Sequence, residues 1–270
     1  MSDNARSADM SLTVLGARGS VPVSGPDFVR FGGATSCYAV RAGGELILLD
    51  AGTGIVRAPQ HDARRVTILV SHLHLDHLNG LGMYGRLSRP GSATTLYLPA
   101  KTDEQATEAI EELYSPPLWP LKLSEYCGVL EVRALPNELR VGDVTISCVE
   151  GNHPGGCKAI KVSHGDKSIV YATDYEYEPE SFARLVELSR NASLLLFDAQ
   201  YSDDQLQLHK GFGHSTDAIG LKLLQRSGAK RLLLTHHDPQ STDATLAMRE
   251  QALRPFPHAS FAREGETIAL

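Results

Sequence analysis

The stretch Val70-Ser71-His72-Leu73-His74-Leu75-Asp76-His77-Leu78-Asn79-Gly80 decides how this chain is read. It begins where Val66–Val70, an apolar and β-branched run of strand length, ends. His72, His74, Asp76 and His77 therefore sit on the turn that leaves a strand. Three imidazoles and one carboxylate within six residues form a dense set of borderline ligands, the kind that suits zinc. In extended chain, the spacing of His72 and His74 points both rings the same way. A turn then brings Asp76 and His77 to a second position, so two neighbouring metal ions are a natural product of the segment.

A zinc ion takes about four ligands, and two ions need more than this turn holds. Three further residues stand where apolar strands end. His153 follows Val144–Val149 inside Gly151-Asn152-His153-Pro154-Gly155-Gly156, Asp174 closes Ile169-Val170-Tyr171-Ala172-Thr173-Asp174, and His236 closes Leu232-Leu233-Leu234-Thr235-His236. One histidine at a strand end is usually a surface residue. The set as a whole points to a metal site at one edge of packed sheets.

Around this core the pattern is strand-rich, with helices following. Leu12–Leu15, Ser36–Arg41, Glu45–Leu49, Val66–Val70 and Thr95–Leu98 read as strands, and Gly43-Gly44 as a hairpin turn. Val144–Val149, Ala159–Ser163, Ser168–Ala172, Leu194–Phe197 and Arg231–Leu234 repeat the pattern in the second half. Helices are expected over Asp103–Tyr114, Pro179–Asn191, Asp217–Arg226 and Asp243–Leu253, with Thr216-Asp217 and Ser241-Thr242-Asp243 as N-cap signals before the last two. The expected organisation is a short flexible tail over residues 1–10 and one domain over residues 11–270, built as two stacked sheets with helices outside. Gly16-x-x-Gly19 lacks the third glycine of a dinucleotide-binding turn.

Composition narrows the partners. With 42% hydrophobic and 21% charged residues the chain is globular, and a net charge of -6 offers no basic field for a nucleic-acid polymer. No apolar run approaches the ~18–20 residues of a membrane span, and Met1–Asp9 lacks the apolar core of a signal peptide. Cys37, Cys127, Cys148 and Cys157 show no CxxC spacing and read as reduced thiols of a cytoplasmic enzyme.

His72-x-His74-x-Asp76-His77, with His153, Asp174 and His236 in that order, resembles the metallo-β-lactamase superfamily over nearly the whole chain. The resemblance implies an αββα sandwich with a di-metal site at the sheet edge. By that pattern His72, His74 and His153 hold one metal, Asp76, His77 and His236 the other, and Asp174 bridges them. Zinc is the expected ion, with manganese or iron as alternatives, and a homodimer is common in such proteins. An aspartate at Asp174, where a cysteine would mark the true β-lactamases, disfavours that branch. Asp50, in Leu48-Leu49-Asp50-Ala51-Gly52, corresponds to an aspartate that supports the metal loop, and a carboxylate there can fix the tautomer of a metal-bound histidine.

Gly211-Phe212-Gly213-His214-Ser215-Thr216 resembles the His-Ser/Thr motif of the phosphodiesterase branch, which includes ribonuclease Z and cyclic phosphodiesterases. Asp76 and His214 are then the catalytic candidates, Asp76 orienting the attacking water and His214 aiding the leaving oxygen. Ribonuclease Z enzymes carry a long arm between the positions matching His153 and Asp174, whereas here that interval has room only for a strand pair. A small or cyclic phosphodiester is the expected substrate. The alternatives are an acyl hydrolase acting on a lactone or thioester, a ribonuclease Z-type endonuclease, and a silent binding domain. Arg18, Ser20, Arg30, Ser36 and Tyr201 are candidate phosphate contacts. Trp119 is expected either as a lid or dimer residue or as an anchor for its connection. His61, His164, His209, His237 and His258 are read as surface residues, with His237 a possible support for its neighbour.

Overall fold

Leu46-Ile47-Leu48-Leu49 reads as one continuous apolar run, and the computed structural model shows why. Leu46 and Leu48 face one core, Ile47 and Leu49 another. Leu194-Leu195-Leu196-Phe197 divides the same way, Leu194 and Leu196 facing the central core while Leu195 and Phe197 face the opposite layer. A strand buried on both faces needs no polar alternation.

The structure describes residues 10–60 and 65–270. The strands are β1 (Ser11–Gly16), β2 (Cys37–Ala42), β3 (Glu45–Leu49), β4 (Arg65–Leu69), β5 (Ala93–Leu98), β6 (Val129–Ala134) and β7 (Glu138–Val141). They continue with β8 (Val144–Glu150), β9 (Lys158–His164), β10 (Lys167–Ala172), β11 (Leu194–Asp198), β12 (Leu232–Thr235), β13 (Ala259–Phe261) and β14 (Thr267–Ala269). One seven-stranded sheet runs β14-β1-β2-β3-β4-β5-β6 and the other β13-β12-β11-β10-β9-β8-β7. Their inner faces share a core in which Val40 and Leu49 of the first sheet meet Ile146, Tyr171 and Leu233 of the second. Helix α1 (Asp103–Leu113) covers the first sheet, packing on β6. Helices α2 (Pro179–Leu188), α4 (Asp217–Ser227) and α5 (Asp243–Ala252) cover the second through Phe182, Leu223 and Leu246, with the short α3 (Asp203–Leu208) between them in sequence. This is the four-layer αββα sandwich.

Strand direction places the chemistry. β3 through β6 are parallel, as are β10 through β13. Because β8 and β10 both pair antiparallel to β9, they also point the same way. Carboxyl ends therefore collect at one rim, the usual place for ligands in parallel α/β sheets. Asp50, Asp174 and His236 leave β3, β10 and β12 there with left-handed backbones, φ 61, 55 and 60.

Several details depart from expectation. Residues 1–9 of the expected tail, and His61, lie outside the described residues, whereas Met10 is buried and its carbonyl accepts the Leu270 N–H. α2 stops at Leu188, three residues early, and Asn191 turns left-handed at φ 52. Gly43 and Gly44 both take positive φ and close the β2–β3 hairpin. The four cysteines are free thiols. Trp119 packs edge-on to Tyr114 and donates to Tyr126, which anchors its connection. No described helix is long and apolar enough to cross a membrane.

Candidate metal centre

The turn after β4 is a short 3-10 segment, Leu75–His77, in which the His77 N–H donates to the His74 carbonyl. It leaves Leu73 and Leu75 exposed and buries His72, Asp76 and His77. His153, Asp174 and His236 arrive from the second sheet. One donor atom each from His72, His74, His153 and Asp174 lies within 4.8 Å of the others, and the same holds for Asp76, His77, Asp174 and His236. Asp174 is common to both groups, so the seven residues expected as ligands converge on two adjoining positions.

The surroundings fix which way each ring faces. His77 Nδ1–H donates to Asp50 at 2.6 Å, His236 Nδ1–H to the Gln200 amide oxygen at 2.9 Å, and His153 Nδ1–H to the Gly213 carbonyl at 2.8 Å. Ser71 gives its hydroxyl proton to Asp50, so its oxygen accepts from His72 Nδ1 at 3.1 Å. Outward Nδ1–H bonds leave the Nε2 atoms facing inward. His236 Nε2 stands 3.1 Å from Asp76 and 3.0 Å from Asp174, and His77 Nε2 stands 3.1 Å and 3.2 Å from the same carboxylates. His72 Nε2 is buried without a hydrogen-bond partner, 3.6 Å from Asp174. Outer bonds of this kind orient the imidazoles of metal sites.

Electrostatics make the same demand for positive charge. Burial opposes a charge on His77, yet Asp174, Asp76 and Asp50 raise its pKa well above the ordinary histidine value. Burial would raise Asp76 and Asp174 as well, but the surrounding histidines hold both far below the usual carboxylate range. His72, lowered by burial and then by His77, stays neutral. Ionised carboxylates and inward imidazole nitrogens, buried together, suit a divalent cation.

His214 stands beside this cluster. Its Nδ1–H donates to Asp198 at 2.9 Å, and its ring stacks on His236 with centroids 5.0 Å apart. The Asp198 carboxylate also accepts the N–H groups of Tyr175, Gln200 and Ser215. Glu176 takes the N–H groups of Gly211 and Gly213 and so ties down the loop that carries His214. Gly213 is required: a Cβ there would lie 2.0 Å from His153 Nδ1.

Other expected contacts fall elsewhere. Arg18 is wholly buried, and its guanidinium serves the carbonyls of Gly32, Asp238 and Ser241. Ser36 is also buried, with its hydroxyl on the Arg18 carbonyl. Arg30 pairs with Glu250 of α5 and not with the metal cluster. Ser20 reaches the site through its backbone, its N–H donating to Asp76 at 2.8 Å. Tyr201 lies edge-on to His214, but its hydroxyl accepts from Gln200. His237, expected at the surface, is fully buried. Burial and then Arg18 push its pKa down to about 3, and it donates from Nε2 to the Ala262 carbonyl. His209 is half-buried against Tyr201, His164 is half-buried, and His258 is exposed.

Four supporting residues have roles that the sequence does not assign: Asp198 and Gln200, whose stretch Asp198–Asp204 resembles smaller phosphodiesterase-like proteins, and Glu176 and Tyr171, whose hydroxyl donates to Asp50 at 2.5 Å. Asp198 had a signal, since it ends an apolar strand as Asp50 and Asp174 do. Glu176 and Tyr171 act through tertiary contacts that no local pattern marks.

A family model described as the beta-lactamase superfamily domain matches residues 45–237. Over 241 residues the chain is 27% identical to the probable metallo-hydrolase YhfI of Bacillus subtilis, covering 84% of this chain and 86% of YhfI. It is 24% identical to a ribonuclease Z of Lactiplantibacillus plantarum over 272 residues, covering 83% and 88%. The crystal structure of YhfI superposes with TM-score 0.74 at 22% identity, over 97% of this chain and all of that one. A diphosphatase from the PhnP family gives TM-score 0.71 at 20% identity, over 97% of each chain. The family match spans both sheets, from the first residue of β3 to the histidine after His236, and on that ground the chain belongs to the β-lactamase superfamily, with the metallo-β-lactamase fold.

Proposed function

We propose that this protein is a two-metal phosphodiesterase that hydrolyses a small or cyclic phosphodiester. Zinc is the proposed ion, and manganese or iron would suit the same donors. The observation that carries the phosphodiester reading is the His214–Asp198 pair. Burial works against a charged His214, but the Asp198 charge and hydrogen bond outweigh it and raise the pKa to about 9. At neutral pH His214 then holds a proton on Nε2 while Asp198 keeps the ring oriented. An alkoxide leaving from phosphorus needs such a donor, whereas expulsion of a thiolate does not.

Bound divalent ions would supply Lewis-acid charge to the phosphoryl oxygens and acidify the attacking water. His72, His74, His153, Asp76, His77 and His236 would hold them, with Asp174 between. Asp76 remains ionised and accepts hydrogen bonds, from the Ser20 N–H and from the attacking water. His214 donates its Nε2 proton to the leaving oxygen, and Glu176 keeps its loop in place.

A small substrate is supported by the His153–Asp174 interval, which β9 and β10 fill as a plain hairpin. The net charge of -6 agrees. A second reading, an endonuclease on precursor transfer RNA, is favoured by the curated relatives named ribonuclease Z. Metal-analysed protein should be assayed on bis(p-nitrophenyl) phosphate, a chromogenic ester, a lactone, precursor transfer RNA and a panel of cyclic nucleotides. The proposal expects diester and cyclic nucleotide hydrolysis to dominate. Faster turnover of the lactone or ester would remove it, and faster transfer-RNA processing would move the protein to the second reading.

A further inference from the structure

Beside the donor cluster lies a cavity of about 550 Å³ whose occupant has no assignment so far. The His72–His74 turn, the corner Pro99-Ala100-Lys101 that follows β5 and the loop Pro154-Gly155-Gly156-Cys157 wall it, with Gln105 of α1 and the ion pair of Glu150 and Lys158 also in the lining. Of the seven candidate ligands only His72 and His74 line it. Asp76, His77, His236 and His214 do not. The cavity therefore opens from one end of the site.

His214 marks the other end. The His74 and His153 rings lie 4.9 Å apart and the His153 and His214 rings 5.4 Å apart, so His153 separates the cavity side from the proton donor. A phosphodiester has two ester arms. In an in-line displacement the leaving oxygen lies opposite the nucleophile, and the other ester arm projects sideways from phosphorus. With the leaving oxygen at His214, a retained arm that extends past His153 towards His74 would enter the cavity.

Resting on the phosphodiesterase reading, we infer that this cavity is the specificity pocket for the retained half of the substrate, and that it takes a nucleoside-sized group. Its volume is within the roughly 300–1,000 Å³ typical of small-molecule sites. Leu73, Pro99, Ala100 and Pro154 provide apolar walls for a flat ring. Lys101 and Gln105, both exposed at its edge, provide hydrogen-bonding groups for polar ring substituents. Gly155 is suited to this role, because at φ 83 it puts no side chain between His74 and the cavity.

Two diesters with the same leaving group isolate the retained arm: the p-nitrophenyl ester of thymidine monophosphate and methyl p-nitrophenyl phosphate. Ala100→Trp narrows the cavity from the wall opposite the Pro154–Cys157 loop, at a residue that is not itself a candidate ligand. It should lower kcat/KM on the thymidine ester by about ten- to hundredfold and leave the methyl ester unchanged. Lys101→Ala, at an exposed position, should lower it by roughly two- to tenfold on the thymidine ester alone. Calorimetric titration with thymidine monophosphate should show the same losses of affinity, with inorganic phosphate binding unaltered. Equal losses on both esters, or none on either, would overturn the pocket assignment while leaving the phosphodiesterase reading intact. Failure of the unmodified enzyme to hydrolyse either ester would instead remove that reading. In that case, nucleotide binding that Ala100→Trp leaves unchanged would remove the pocket as well.

Discussion

His77 and His236 are wholly buried, and each has its Nδ1–H fixed by a side chain, the Asp50 carboxylate or the Gln200 amide. In the other half His72 is buried and held through Ser71 to Asp50, but His74 is exposed, and His153 has its Nδ1–H on the carbonyl of Gly213, on the loop that carries His214. The two halves of the donor cluster thus differ in support. The inner half is built into the junction of the two sheets, since Asp50 of the first sheet also accepts from Tyr171 of the second. The outer half is closed by surface turns and borders both the cavity and His214. Rigid donors lose less freedom on binding a cation, so the inner position should bind metal more tightly and the outer should exchange more readily.

Asp174 is where this contrast can be broken outright, because it alone belongs to both halves. Asp174→Ala should empty both positions in elemental analysis and lower turnover by about a thousandfold or more, several kcal/mol of lost charge stabilisation. Retention of one full equivalent of metal would show that one half is self-sufficient. His214→Ala comes next. It should keep its metals and lose about 10²–10⁴ in turnover on a substrate that expels an alkoxide. On p-nitrophenyl esters, whose leaving group is already a stable anion, the loss should be smaller. Equal losses would reduce His214 to a phosphate anchor.

A graded chelator titration sharpens the contrast itself. Metal should leave in two steps, the first matching the outer half. Asp50→Asn should weaken the inner half by about 10- to 100-fold and draw the steps together. A single step in the unmodified protein would contradict the unequal support. The smallest expected effect is that of Glu176→Gln, which removes the charge from the clamp on Gly211 and Gly213. Metal content should hold, and turnover should fall by roughly two- to tenfold as the His214 loop loosens.

The legibility of the fold follows the same division between inside and edge. Every central strand was readable as a run of apolar residues, because burial on one or both faces leaves that mark in composition. The unexpected strands β6, β7, β13 and β14 are the four sheet edges. β7 reads Glu-Leu-Arg-Val, half of it exposed, and β13 and β14 have three residues each. Such segments become strands because a neighbour offers hydrogen bonds, and nothing local announces that. The candidate ligands are readable because they interrupt apolar strands with chemistry. Arg18 misled for the opposite reason: a cation near the motif resembles a phosphate contact, and only tertiary structure shows it buried against carbonyls.

The left-handed residues after β3, β10 and β12 bear on how this protein would respond to selection. Asp50, Asp174 and His236 each make a bend that glycine makes freely, at a cost on the order of 1 kcal/mol apiece. Glycine would relieve that strain but strip buried groups of their partners: Asp50 accepts from Ser71, His77 and Tyr171, and Asp174 pairs with His77 and His236, losses of about 1–3 kcal/mol per group. A library screened for heat resistance should therefore retain Asp50 and Asp174 despite their left-handed backbones. Thermal hardening of this chain has to be sought away from that rim.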